Sequence, residues 1–487
     1  VSEAPANIGR RLARDTVIYG LVGALSRSLS FVLLPILTRL LTLKEYGDFN
    51  LLMSLATTLS VLATLGMDSG LALEMVASDQ QVAKRKAASA LLLQVIWLVF
   101  VVGMIWATSS LVAPRISSLP RSDTLLRLIG YLVAAQTLCG FGANVARWRQ
   151  RPSIYLVIML GMTIASGVGS IIGVIDRGTA EGAIAGMLVG ATIVVPLSLW
   201  FVRRDLARSV AAHDMSRVLL QGLPFGANRV AELSFPFLLR LVLLAFGGLE
   251  AVGLFGAANA ICLGVIMFND AFSLAWMPLA LSGNGAELNN QSPHILRLYS
   301  LLMICAVVAI TLLAPPFVST VLGHGVYREA IPLFGPLALS YWMKALRQQT
   351  SLAFVTVGRA WYRSTVNALT LLVTLLLAPE MIRIWGLPGV AWAVVGGEAI
   401  GWLVQTLLLA RLKLRLLDSP SLLFTAGAFL VLLAVTRLLP VDAGIVAFLT
   451  YPALLIAFAA VLYLSGAVLP GDFRLLVELL PGKRRAA

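Results

Sequence analysis

Charge is what this chain has least of. Of 487 residues only 12% are Asp, Glu, Lys or Arg, and 23 in all are acidic, whereas a soluble globular domain carries roughly 25% charged residues. Histidine and cysteine are nearly absent as well, with three of each. His213, His294 and His324 fall in short loops, and Cys139, Cys262 and Cys305 sit singly in apolar segments. None has metal-ligand spacing, so the cysteines read as packing residues and no metal or cofactor is expected. There is no His-Glu-x-x-His pair, no glycine-rich phosphate loop ending in Lys-Ser/Thr and no Gly-x-Ser-x-Gly elbow. No polar loop exceeds about 15 residues, which leaves no room for a soluble catalytic or nucleotide-hydrolysing domain. An enzyme driven by ATP is therefore not expected.

Apolar residues are what is there, at 59% of the chain, for a mean hydropathy of +0.90. A hydrocarbon core of ~30 Å needs about 20 apolar residues per helical crossing. Runs of that length number fourteen: 16 to 42, 46 to 68, 87 to 110, 124 to 145, 153 to 175, 181 to 202, 218 to 246, 251 to 282, 295 to 322, 330 to 357, 361 to 385, 388 to 411, 420 to 439 and 444 to 468. The pattern predicts an all-α, multi-pass integral membrane protein.

The formal net charge of +14 suggests nucleic acid until the basic residues are placed. They alternate from loop to loop. Arg10, Arg11 and Arg14 precede the first run, Lys84, Arg85 and Lys86 follow the second, Arg147, Arg149 and Arg151 the fourth, and Arg203, Arg204, Arg208 and Arg217 the sixth. The series continues through Arg359, Arg411 and Lys413 to Lys483, Arg484 and Arg485, while the intervening loops hold far fewer. This is the positive-inside pattern, and an even number of crossings with both termini cytoplasmic keeps it in phase. Nucleic acid is not an expected partner. The first 15 residues lack the apolar core and cleavage site of a secretory signal, so the first helix is expected to be retained.

Glycines fall where helices need to approach closely, in "GFGAN" from 140, in "GVGSIIG" from 167, and at Gly182, Gly186 and Gly190 on one face of the sixth run. A faint repeat relates "LSFVLLPILTRLLTLKEYGDF" (29 to 49) to "LSFPFLLRLVLLAFGGLEAVGLF" (233 to 255). It pairs runs one and two with seven and eight. The expected organisation is two six-helix, pseudo-symmetric lobes, 1–210 and 211–416, around a central cavity, with two C-terminal helices and a cytoplasmic tail in 417–487.

The opening "RDTVIYGLVGALSRSLSFVLLPILTRLLTLKEYGDFNLL", with its "EYGDFNL" turn into the second run, resembles the Wzx-type polysaccharide flippases of the multidrug/oligosaccharidyl-lipid/polysaccharide exporter superfamily. The resemblance implies a bacterial inner-membrane transporter that moves undecaprenyl-diphosphate-linked oligosaccharide, an O-antigen or exopolysaccharide repeat unit, to the outer leaflet by alternating access. The partners it implies are that lipid-linked sugar, membrane lipids and polysaccharide assembly proteins. An ion-coupled multidrug exporter of the same fold and a membrane polysaccharide polymerase or ligase are the alternatives.

Ionisable residues deep in the apolar runs are the candidate site. Arg229 and Arg240 are eleven residues apart, about 20° from alignment on a helix, and form a polar seam with Glu232 and Pro236. "SYWMKALRQQTS" repeats the device with Lys344 and Arg347, and Arg27 lies near mid-depth of the first run. Arg39 and Arg127 lie nearer the boundary, where a long stem can snorkel. The deep acids are Glu232, Asp270 and Glu398. Five cations against three acids suit an anionic cargo such as a diphosphate, which guanidinium groups bind in paired contacts. The family's habit of lining its cavity with basic side chains carries over to Arg27, Arg229 and Arg240, and also to Lys344 and Arg347. Glu232, Asp270 or Glu398 is the expected carrier if H+, Na+ or the membrane potential drives the cycle. The structural alternative pairs Arg229 with Glu232 one turn on, has Arg27 snorkel or bond to broken backbone, and makes Asp270 or Glu398 a partner for a cation on another helix.

Overall fold

A chain so apolar has no water inside the bilayer to satisfy its peptide groups, so each crossing closes its own hydrogen bonds as a helix. The computed structural model describes residues 25, 31–76, 78–116, 122–282, 285–322, 325–359, 361–414, 419–438, 454–458 and 460–461, and every regular element among them is helical. In chain order these are α1 (Phe31–Leu40), α2 (Leu43–Thr64), α3 (Met67–Val76), α4 (Gln80–Ile116), α5 (Ser122–Trp148), α6 (Pro152–Arg177), α7 (Ala180–Val202) and α8 (Ala212–Ser282). There follow α9 (Gly285–Thr320), α10 (Ile331–Thr350), α11 (Leu352–Thr356), α12 (Trp361–Trp385), α13 (Leu387–Arg411) and α14 (Ser419–Leu438). Among the described residues, eight helices are long and apolar enough to cross a membrane, or nine if α2 and α3, bent by 42°, form one span. Most of the runs 16 to 42 and 444 to 468 lies outside the described residues.

Two boundaries differ from the sequence expectation. The second run does not end at 68. Leu65 takes up left-handed backbone (φ 45°, ψ 24°) and closes α2, Gly66 also has positive φ, and the chain turns and stays helical as α3. The seventh and eighth runs are not separated by a loop either. They form one 71-residue element, α8, interrupted only by non-helical backbone at Gly248 (φ 71°, ψ −173°). A straight helix of that length would reach about 107 Å, several times the ~30 Å core, so a break is unavoidable. Gly248 supplies it without the steric penalty a side chain would meet at that φ.

The chain forms two compact units, Val1–Ala257 and Ala258–Ala487. In the first, α5 packs against α2, α4, α6 and α7, around buried Leu52, Ala56, Leu132, Ile184 and Ala191. The α6–α7 contact is a glycine seam. Gly169 meets Gly186, Gly173 meets Gly182, and Gly190 meets Ala165, so closely that a Cβ on any of these glycines would overlap backbone. Dispersion between touching backbones replaces the hydrophobic effect that lipid cannot provide. A stripe about 100° round α6 from that seam, including Ile164, Val168, Ile172 and Ile175, is exposed, Ile172 at 62%. That arrangement suits a lipid-facing surface and would be a liability in water.

The "EYGDF" turn now has a physical account. Thr42 caps α2 by accepting from the Glu45 amide at 3.2 Å. The Glu45 carboxylate accepts from the Ala180 amide at 2.7 Å, capping α7. Tyr46 and Asp48 are buried, and a Cβ on Gly47 would strike the Leu249 carbonyl. Gly253, the counterpart of Gly47 in the repeat, approaches the Leu43 carbonyl in the same way, and each of the two glycines lies against the other's amide nitrogen. The contact is thus mutual, each glycine letting the other's backbone approach. We expect Gly47→Val to lose more than the ~1–3 kcal/mol of a typical overpacked core position, because the obstacle is backbone. Thermal unfolding in detergent, beside a Gly140→Ala control that meets nothing within 4 Å, checks this.

The loops placed on one side by charge meet at one end of this unit. Asp205 is buried between Arg151, at 2.8 Å, and Arg149, at 3.5 Å. Arg85 holds Asp214 at 2.8 Å, Lys86 pairs with Glu74 in the interior, and the Ala211 amide donates to Ser89 at 3.0 Å. Basic residues here anchor the 203–214 linker.

In the second unit α13 packs against α10 and α12, and α9 against α10 and α14. Gly397 and Gly401 lie on Thr374 and Thr370 of α12. Cys139, in the first unit, and Cys262, in the second, are free and buried, each with its sulfur 3.7 Å from a carbonyl, of Ala191 and Phe334 respectively.

Candidate functional site

Each unit places polar side chains inside its helices. In the first, Arg229 on α8 does not turn to Glu232. Its Nη1 donates to Asp68 Oδ2 on α3 at 2.7 Å. Asp68 gets there because the α2–α3 bend carries the first turn of α3 alongside α8, where Gly66 touches Gly222 and Gly226, and Gly70 touches Val218 and Gly222. A side chain at any of these glycines would hold the helices apart and pull the carboxylate away. The Arg229 side chain stays 51% exposed and Asp68 is 20% exposed, and no other donor of Arg229 has a partner among the described residues. Glu232 is exposed.

Arg229 and Asp68 stand on the wall of a 370 Å³ cavity whose other polar lining is neutral, notably Ser60, Gln94, Gln136 and Asn144. Gln94 donates to the Ala63 carbonyl at 2.6 Å. Arg240, although near Arg229 in helical phase, is buried; its Nη1 donates to the Pro236 carbonyl at 3.0 Å and its guanidinium lies 5.9 Å from the Phe255 ring centroid. Arg27 lies outside the described residues.

In the second unit, Arg347 and Glu398 come together. Both are buried, and the guanidinium meets the carboxylate with Nε to Oε2 at 2.9 Å and Nη2 to Oε1 at 3.4 Å, while Nη1 donates to Asn367 on α12. The Arg347 carbonyl accepts from Gln405 at 2.8 Å, so one residue ties α10 to α12 and α13. Asp270 accepts from Asn269 at 3.4 Å. Asn269 itself is the centre of a buried network, with Oδ1 accepting from Tyr299 at 2.7 Å and from Gln349 at 2.8 Å, and Nδ2 donating to Gln348 at 3.3 Å. Lys344, one turn before Gln348, is half-buried and has no hydrogen-bonding or ionic partner among the described residues.

Asp68 joins the deep acids, which makes five cations (Arg27, Arg229, Arg240, Lys344, Arg347) against four acids (Asp68, Glu232, Asp270, Glu398), with Arg27 outside the described residues. What separates Arg347 from Lys344 and Arg229 is which nitrogens stay unused: each guanidinium nitrogen of Arg347 has a partner in Glu398 or Asn367, whereas among the described residues Lys344 has none and Arg229 has Asp68 alone. Asp68 escapes a sequence reading because it sits where an apolar run appears to end, and its partner is 161 residues away. The only signal is the "LGMDSG" pairing of a flexible glycine with an acid beside more apolar sequence.

Among curated proteins none matches the sequence. The fold is shared with solved structures. A lipid II flippase MurJ, in an inward closed conformation, superposes with a TM-score of 0.72 at 13% identity, over 92% of this chain and 99% of that one. An inward-facing multidrug resistance MATE family transporter of the MOP superfamily gives 0.66 at 19% identity, over 80% and 94%. MATE in a straight conformation gives 0.59 at 17% identity, over 83% and 95%. At these identities the likeness establishes the fold. The model of the polysaccharide biosynthesis protein family matches residues 12–282, more than half of the 487 residues. The chain belongs to the polysaccharide biosynthesis protein family and has the all-helical fold of the MOP-superfamily transporters.

Proposed function

We propose that the protein is a flippase that carries an undecaprenyl-diphosphate-linked oligosaccharide from the cytoplasmic to the outer leaflet of the bacterial inner membrane by alternating access, with about fourteen crossings and both termini cytoplasmic. Membership of the polysaccharide biosynthesis protein family and a fold that also serves a lipid II flippase support the reading. Lys344 is the observation that carries it. Its helix α10 is not among the helices apolar enough by length and composition alone to cross a membrane, yet it packs against α9 and α13, and a half-buried ammonium there, with no partner among the described residues, suits a site that receives negative charge. An anionic cargo supplies that charge; in the first unit, Arg229 keeps guanidinium donors beyond its pair with Asp68. Arg347 is assigned to holding α10 against α12 and α13. Glu398 is occupied by that pair, so coupling to H+ or Na+ falls to Glu232 or Asp270 rather than to Glu398.

The MATE likeness favours one other reading, an ion-coupled exporter of organic cations. Mass spectrometry of lipid copurifying with the full chain separates them. The flippase reading predicts a polyprenyl diphosphate bearing saccharide. Its absence, together with drug resistance that rises on overexpression, would select the exporter.

A further inference from the structure

We propose that the first unit's 370 Å³ cavity is a saccharide subsite, shaped for the neutral, hydroxyl-rich part of the cargo. This rests on the flippase reading and adds a ligand class for a particular wall of the molecule. The cavity is at the lower end of the ~300–1,000 Å³ typical of small-molecule sites. Its charge cancels locally, because its Arg229 is paired with its Asp68 at 2.7 Å; neither an anion nor a cation is favoured by the lining as a whole.

What the lining offers instead is unused neutral hydrogen-bonding capacity. Thr137 is only 7% exposed and its hydroxyl has no partner among the described residues. Gln136 and Asn144, half-buried on the same helix, have none for their side-chain amides either. Each amide brings two donors and an acceptor with two lone pairs, and Asp68 Oδ1 is a further buried acceptor left open among the described residues. Buried polar groups in a native protein are satisfied by some partner. Sugar hydroxyls, which donate and accept at closely spaced positions, match amides, a hydroxyl and a carboxylate–guanidinium pair. Phe141 and Met162, also in the lining, provide apolar surface for the C–H face of a sugar ring.

The test compares copurifying lipid from the protein's native membranes, so that the natural cargo is present. The ratio of saccharide-bearing to sugar-free polyprenyl diphosphate is read by mass spectrometry for the full-length wild type, Gln136→Leu/Asn144→Leu, and Thr137→Val. Leucine at unpaired amides leaves no donor unsatisfied, and Thr137→Val keeps shape while deleting a hydroxyl without a partner, so the second variant serves if the first fails to fold. The expected result is at least a tenfold fall in the ratio for the double variant and about threefold for Thr137→Val, with total polyprenyl diphosphate unchanged. An unchanged ratio overturns the subsite and leaves the flippase reading standing. A parallel loss of both lipids also overturns it, since the residues would then act on the headgroup. No polyprenyl diphosphate on the wild type overturns the flippase reading and the subsite with it.

Discussion

Lys344→Ala is expected to leave the chain in the membrane at the wild-type level, with Tm unchanged or raised, and to abolish surface glycan assembly. Most buried-charge deletions strand a partner and destabilise the protein by several kcal/mol. Lys344 strands nothing, since its ammonium has no partner among the described residues, and removing a half-buried charge relieves part of its desolvation cost. Its contact with an anionic headgroup contributes ~1.5–3 kcal/mol, so cargo affinity falls about 10- to 150-fold. Lys344→Arg retains the charge and restores part of the output; Lys344→Met, which keeps the stem, does not. Arg229→Ala is expected to reduce glycan output similarly, but with some loss of stability because Asp68 is left alone. Asp68→Asn in the same chain recovers that stability without recovering output. Normal glycan from both Lys344→Ala and Arg229→Ala would remove these cations from the transport path.

Glu398→Ala is expected to act in the opposite manner. Arg347 is buried and held by two contacts to that carboxylate, at 2.9 and 3.4 Å. Without it, an uncompensated guanidinium remains between α10, α12 and α13, at a cost of about 3–5 kcal/mol. Expression and Tm should both fall. Arg347→Met/Glu398→Leu should recover most of the loss, because replacing a whole buried pair by apolar side chains of similar volume is often neutral, and glycan assembly should return with it. Recovery of stability without glycan would instead make Arg347 part of the binding surface. Tm in detergent and glycan blotting, run on the wild type and both variants, distinguish the outcomes.

The helical plan was legible because lipid imposes one rule on every crossing. The run 361 to 385 coincides with Trp361–Trp385 and the run 388 to 411 differs from Leu387–Arg411 by one residue. Glycine spacing at 182, 186 and 190 was legible for a similar reason: only a missing Cβ lets two backbones touch, so the period of the glycines is the period of the contact. The site was harder to read, since side-chain pairing across helices is set by where bends bring distant segments. Arg229 and Glu232 have the spacing of a local pair, yet a bend at Leu65–Gly66 brings Asp68 closer. Arg347 shows the same thing from the other side, its partner Glu398 lying 51 residues away on α13. The count of deep charges omits Asp68, which the sequence puts at the edge of a crossing, and what sequence cannot weigh is which cation is already neutralised.

Reconstitution of the full chain in liposomes holding a polyprenyl-diphosphate saccharide tests the central claim most directly, by following how much saccharide an impermeant oxidant reaches with time. The prediction is that wild-type protein brings the inner-leaflet pool within reach and that Lys344→Ala, equally well reconstituted, does not. Wild-type protein that leaves that pool protected, or Lys344→Ala that moves it at the wild-type rate, would contradict the account.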